Sequence, residues 1–115
     1  MKIGHIELFV KEPLASKEFY ETMLGFETVM VQGQAYVWMR SGALEILLRK
    51  ENSRVSSVYE TASHGIVLYT DNLGRTSREL AQRGLQLHKM AGSEKWLAFT
   101  DPDGHRFQLV NPNDL

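Results

Sequence analysis

Near the N-terminus apolar and polar residues alternate, and the alternation then gives way to a helical spacing. Over residues 5–10, Ile6, Leu8 and Val10 would face one side of a strand and His5, Glu7 and Phe9 the other, because side chains alternate across a pleat. Pro13 suits the entry to a helix, where its missing N–H would lack an intrahelical partner anyway. Over residues 14–24, Ala15, Phe19 and Met23 recur at i, i+4 and i+8, Tyr20 and Leu24 widen the stripe, and Gly25 offers a left-handed stop. Strands are then expected over residues 27–31, 35–40 and 43–49, with a tight turn at Ser41-Gly42 before the last.

Residues 50–63 are polar and serine-rich without clean periodicity, as a linker would be. After them the pattern restarts: a strand over 65–70, a helix over about 73–83 closed by Gly84, and strands over 85–90, 96–100 and 105–110. Asp101-Pro102-Asp103-Gly104 has the residue types of a turn. The chain thus states one unit twice, each a strand, a helix and three strands. This reading aligns His5 with Gly65, an offset of 60 residues, and Glu45 with Gln108, an offset of 63, the longer turn absorbing part of the drift.

The expected fold is a single α+β domain over 1–115 made of two tandem βαβββ modules, the first about 3–49 and the second about 64–112. The aliphatic sets Ile6/Leu8/Val10, Leu44/Ile46/Leu48, Ile66/Leu68 and Phe107/Leu109 belong under the helices. The opposite faces carry His5, Glu7, Phe9, Glu45 and Arg49 in the first module, and Gly65, Tyr69, Arg106 and Gln108 in the second. Such a mixture on a common face is what a small-molecule pocket uses.

Composition narrows the function. With 13 basic and 14 acidic side chains there is no global attraction for nucleic acid, and Arg75, Arg78 and Arg83 read as a solvated helix face. The lack of cysteine removes disulfides and thiolate chemistry and fits a cytoplasmic setting. No apolar run approaches the ~20 residues of a membrane span, and the strand pattern begins too early for a signal peptide. No GxGxxG, Walker, HExxH or nucleophile-elbow motif is present, so neither a nucleotide nor an organic cofactor is expected.

His5 and Glu45, inward at related places, suggest a metal or acid–base pair; a solvated strand-end histidine and a solvated carboxylate are the alternatives. Beside Leu44, Leu47 and Leu48, Glu45 is expected to be buried and to need a partner such as His5, Arg49, Arg106 or a metal. Glu7 is a candidate general base. Gln108 is a pocket amide or a weak oxygen ligand. Phe9, Tyr69 and Trp38 could stack on a ligand, although Trp and Tyr are equally ordinary at a dimer interface.

Taken in order, His5, Phe19-Tyr20, Leu24-Gly25-Phe26, Glu45, Asp71-Asn72 and the run DPDGHRFQLV from Asp101 to Val110 give the chain its resemblance, over nearly its whole length, to the vicinal oxygen chelate superfamily of glyoxalases, bleomycin resistance proteins and dioxygenases. The resemblance implies a glyoxalase-like fold in which two βαβββ modules form a curled mixed sheet around a cavity, a homodimer, and a divalent metal (Ni, Mn, Fe or Zn) held by up to four symmetric side chains. It implies a metal-assisted lyase, isomerase or dioxygenase acting on an oxygen-rich small molecule. Carried onto this chain, the metal-ligand positions fall on His5, Glu45 and Gln108, and the residues sharing their faces add Glu45 and Glu7 as catalytic candidates and Phe9, Tyr69, Arg106 and Trp38 as pocket residues. The remaining ligand position falls on Gly65, and His64 beside it has the opposite strand parity. The alternative is a metal-free binding or sequestering protein of the bleomycin resistance type.

Overall fold

The computed structural model describes residues 1–51, 64–90, 93 and 95–115, so nearly all of the expected 50–63 linker lies outside the described residues. The elements run β1 (Ile6–Val10), α1 (Pro13–Thr22), β2 (Glu27–Gln32), β3 (Tyr36–Ser41) and β4 (Leu44–Lys50), then β5 (Ile66–Tyr69), α2 (Leu73–Gln82), β6 (His88–Lys89), β7 (Trp96–Thr100) and β8 (Arg106–Val110). A 3₁₀ turn (Pro112–Asp114) follows. The arrangement is the expected α+β one of two βαβββ modules, and the chain divides into two compact units, Met1–Ser56 and Ser57–Leu115. Each unit has its own four-stranded mixed sheet, ordered β1-β4-β3-β2 and β5-β8-β7-β6. In both, the first strand runs parallel to the last and the other pairs are antiparallel.

In module one the alternation holds except in β4, where Leu44, expected under the helix, is exposed and Leu47 on the opposite face is buried. Leu8, Val10, Val37, Met39, Ile46 and Leu48 are buried, and α1 packs against β2, β3 and β4. The buried residues of α1 are Pro13, Ser16 and Tyr20; Tyr20 lay in the expected stripe, while Ala15, Phe19 and Met23 are not buried. Ser16 is only 2% exposed. A buried serine is a helix position that apolar periodicity does not reveal. Tyr20 stacks on Phe26 with ring centroids 5.7 Å apart, a contact of the kind that adds about 0.5–1.5 kcal/mol beyond area burial. The Gly25 N–H donates to the Glu21 carbonyl at 3.2 Å with φ +73°, so glycine closes the helix at low cost.

Module two is built on Phe99 and Phe107, stacked at 5.1 Å and 5°, with Leu80 and Leu109 also buried. Asn72 caps α2 by accepting from the Arg75 N–H at 3.0 Å. The strand expected over 85–90 shrinks to His88–Lys89, because the Leu85 N–H is turned back onto the Leu80 carbonyl at 3.0 Å and finishes the helix.

Between β7 and β8 the DPDG turn is held from within. Asp101 accepts from the backbone N–H of His105 at 2.8 Å and of Asp103 at 3.0 Å, and its other oxygen lies 2.7 Å from His105 Nδ1. The turn expectation was right, and Asp101 is the residue that makes it rigid.

Candidate functional site

Residues opposite one another in a ladder share a sheet face, so the register sets out the outer face of module one as three rows. One strand step ahead of the Ile6–Ile46 pair, His5 stands beside Glu45, which is opposite Arg40, which is opposite Glu27. The next row is Glu7, Leu47, Trp38 and Met30, and the third is Phe9, Arg49, Tyr36 and Gln32. Charged and aromatic side chains alternate over this surface, with Phe9, Tyr36 and Met30 exposed.

Its centre is Glu7. One carboxylate oxygen lies 3.0 Å from His5 Nε2, and the other accepts from Arg49 at 3.3 Å. The His5 hydrogen bond and the Arg49 guanidinium hold the Glu7 carboxyl below the usual carboxylate range. Glu7 is therefore ionised at neutral pH and accepts only, so Nε2 is the donor of their hydrogen bond. Trp38 meets the His5 ring edge-on at 4.9 Å, and its indole N–H donates to Gln32 at 3.4 Å. Arg49 in turn lies 5.9 Å from the centre of the Tyr36 ring. These are solvent-facing interactions, so they orient side chains more than they stabilise the fold.

Glu45 is exposed and faces Arg40 across the ladder; the expected burial fails because only Leu47 and the helix-facing Ile46 and Leu48 are covered. A recess of about 400 Å³ opens at this end of the sheet, lined by Leu24 to Glu27 and Arg40 to Gly42, with Arg40 and Glu27 3.9 Å apart. Sequence reasoning did not single out this recess or Tyr36, and it offered Arg49 as a partner of Glu45, whereas Arg49 donates to Glu7. Arg49 shares strand parity with Glu45, which was the available signal, but parity does not say that Glu7 would be its partner.

In module two the equivalent rows are Gly65, Arg106 and Thr100; Val67, Gln108, Ala98 and His88; and Tyr69, Val110 and Trp96. Ile6 pairs with Ile46 as Ile66 pairs with Phe107. Glu45 therefore corresponds to Arg106, and Gln108 to Leu47. This corrects the alignment of Glu45 with Gln108: the offset between the last strands is 61 residues, two fewer than reading the turns suggested. Gln108 is 8% exposed and Tyr69 65% exposed. Arg106 lies across Gly65: a Cβ at residue 65 would stand 3.2 Å from Arg106 Cδ and 3.3 Å from its Cγ and Nε.

Of the sequence-derived site residues, His5, Glu7, Phe9, Trp38 and Glu45 share the module-one face, while Tyr69, Arg106 and Gln108 share the module-two face. Within each module taken by itself, other contacts already occupy positions that a divalent-metal site would use. His5 Nε2 is engaged by Glu7, Glu7 is engaged by Arg49, and a cationic side chain fills the space at Gly65. Among the described residues no three His, Cys, Asp or Glu gather as a ligand group.

The model of the Glyoxalase/Bleomycin resistance protein/Dioxygenase superfamily matches residues 2–109. No curated protein matches the sequence. Among solved structures, a possible glyoxalase from Bacillus cereus is similar at TM-score 0.76 and 18% identity, covering 96% of this chain and 98% of that one. The lactoylglutathione lyase of Agrobacterium tumefaciens is similar at 0.72 and 17%, covering 96% and 93%. The fosfomycin resistance protein FosX of Listeria monocytogenes, complexed with Mn(II) and sulfate, is similar at 0.76 and 16%, covering 96% and 89%. At these identities the likeness shows the fold. Among the described residues no helix is long and apolar enough to cross a membrane.

Proposed function

This chain belongs to the glyoxalase/bleomycin resistance protein/dioxygenase superfamily, and within it we propose that it is a small-molecule-binding protein whose ligand lies on the outer face of the module-one sheet without a metal ion at its centre. One observation carries this reading: His5, the best single metal ligand in the sequence, is tied through Nε2 to a Glu7 carboxylate that Arg49 also holds. A carboxylate so engaged is a poor general base, so Glu7 is better suited to orient His5 than to take a proton itself. Nδ1 of His5 would accept a hydrogen bond or proton from the ligand, and Trp38, Tyr36 and Phe9 offer it flat apolar surface. A cytoplasmic homodimer remains the expected assembly.

Titrating phenolic and other aromatic compounds while following tryptophan fluorescence and thermal shift tests the reading. Binding should persist in EDTA and should weaken on Trp38→Ala and Phe9→Ala. Unchanged affinity in both variants would remove the face from consideration.

The second reading is a divalent-metal-assisted lyase, isomerase or dioxygenase using His5, Glu45 and Gln108, and the Mn(II) named with the similar FosX structure favours it. It requires one bound ion per chain by elemental analysis, lost on Glu45→Ala. That result would replace the metal-free reading.

A further inference from the structure

We propose that the recess at the end of the module-one sheet is a binding site for a small zwitterion, an α-amino acid with an apolar side chain. The repeat supplies the first reason. Two positions beyond the core pair Met39–Ile46, Ser41 stands opposite Leu44; two beyond Phe99–Phe107, the Asp101 N–H donates to the His105 carbonyl. The helices also end alike, since the Phe26 N–H donates to the Tyr20 carbonyl as that of Leu85 does to Leu80. Module two closes this end with its own side chains: Asp101 is 4% exposed and its carboxylate holds the His105 ring. Module one has the shorter turn, neither carboxylate nor imidazole at the matching Ser41 and Leu44, and a cavity of about 400 Å³. Small-molecule pockets run from about 300 to 1,000 Å³.

The lining is the second reason. Leu24 and Phe26 are apolar, and Glu27, Arg40 and Ser41 bring the polar side chains. Arg40 stands 3.9 Å from Glu27, beyond hydrogen-bond reach, and among the described residues neither side chain has another hydrogen bond or ion pair. The Ser41 hydroxyl likewise has no partner among the described residues. Guanidinium donors, hydroxyl and carboxylate are therefore all open to a ligand.

Charge selects the ligand class. Arg40 would repel a bare cation. A bare anion would meet Glu27 on one neighbouring strand and Glu45 on the other, two carboxylates around one guanidinium. A molecule carrying both charges a few ångströms apart gives each its complement, its carboxylate on Arg40 and Ser41 and its ammonium on Glu27. The end of α1, which leads directly into Leu24 and Gly25, adds the negative end of a helix dipole and favours the ammonium further. The apolar side chain of the ligand would lie against Leu24 and Phe26. None of Phe9, Tyr36 and Trp38 lines the recess, so the inference stands apart from the ligand proposed for the aromatic rows.

The test is a titration of ¹⁵N-labelled protein with L-phenylalanine at low salt, following backbone amide shifts. 3-Phenylpropionate and 2-phenylethylamine are the comparison probes, which keep the ring and lose the ammonium or the carboxylate. L-Phenylalanine should shift Gly25, Phe26, Ser41 and Gly42, and each comparison probe should bind at least about tenfold more weakly, the loss expected for one charge-assisted contact. Arg40→Gln should weaken L-phenylalanine and erase its advantage over 2-phenylethylamine. Glu27→Gln should erase its advantage over 3-phenylpropionate, a change of preference that a merely structural role would not produce. Both side chains are exposed, so the variants should fold; should one fail, the comparison of probes on the wild-type protein decides. The proposal is overturned if L-phenylalanine does not bind, if either comparison probe matches it on the wild-type protein, if either folded variant keeps wild-type affinity and preference, or if the shifts lie on the Trp38 and Tyr36 rows instead.

Discussion

The two sheets share strand order, pairing sense and register, yet their outer faces carry different side chains. Where module one reads His5, Glu45, Arg40, module two reads Gly65, Arg106, Thr100; where one reads Glu7, Leu47, Trp38, the other reads Val67, Gln108, Ala98. Beneath them the layers differ only in kind of apolar residue, Met39 and Ile46 against Phe99 and Phe107. Helix packing requires hydrophobic residues on the inner face at every alternate position and asks nothing of the outer face. A repeated backbone can therefore keep its core while one outer face carries carboxylates beside arginines and the other carries no Asp or Glu at its register positions.

The sharpest way to break this comparison is at the cores. Phe107→Ala should cost about 3–5 kcal/mol in urea unfolding by leaving a cavity beside Phe99. A loss under about 1 kcal/mol would mean that the ring pair does not hold module two together. Next come the turns. Asp101→Ala removes the acceptor of two backbone N–H groups and of His105 and should cost roughly 2–3 kcal/mol, while Ser41→Ala in the shorter module-one turn should stay within about 0.5 kcal/mol. Equal effects would deny that module two needs an internal staple.

Gly65→His would make the first positions of the modules alike. Crowding of Arg106 should make it destabilising by about 1–3 kcal/mol, against about 0.5 kcal/mol or less for Gly4→Ala, which has nothing within 4 Å. The smallest effect is in the pH profile. Glu7 is held below its ordinary 4.5 by His5 and Arg49, so its ionised form favours the folded state. That contribution is complete above the unfolded value and is lost as pH falls through the lowered one. Thermal melts of Glu7→Gln should therefore differ from wild type near neutrality and converge in acid; a difference that persists or grows in acid would contradict the assigned hydrogen bonds.

Most of the fold was legible in the sequence. Strand alternation, Pro13 and Gly25 around α1, and the DPDG turn each leave local marks, and the elements fall within a residue or two of expectation except β6, which α2 shortens by capping on Leu85. The faces of His5, Glu7, Glu45, Arg106 and Gln108 were legible too, because parity is a local property. Partners were not. Nothing near Glu7 in sequence announces Arg49, 42 residues away, and nothing near Gly65 announces that Arg106 fills the space above it.

By itself the sequence determined which residues point together and that the chain repeats one βαβββ unit, since both follow from spacing along the backbone. Only the tertiary structure decided which residue stands beside which. Strand register is set by hydrogen bonding between segments far apart in the chain, and turn lengths leave it uncertain by the two residues that separate Gln108 from Arg106. That step, which keeps every side chain on its own face, is what moves Arg106 into the place opposite Glu45 in the repeat and Gln108 out of it.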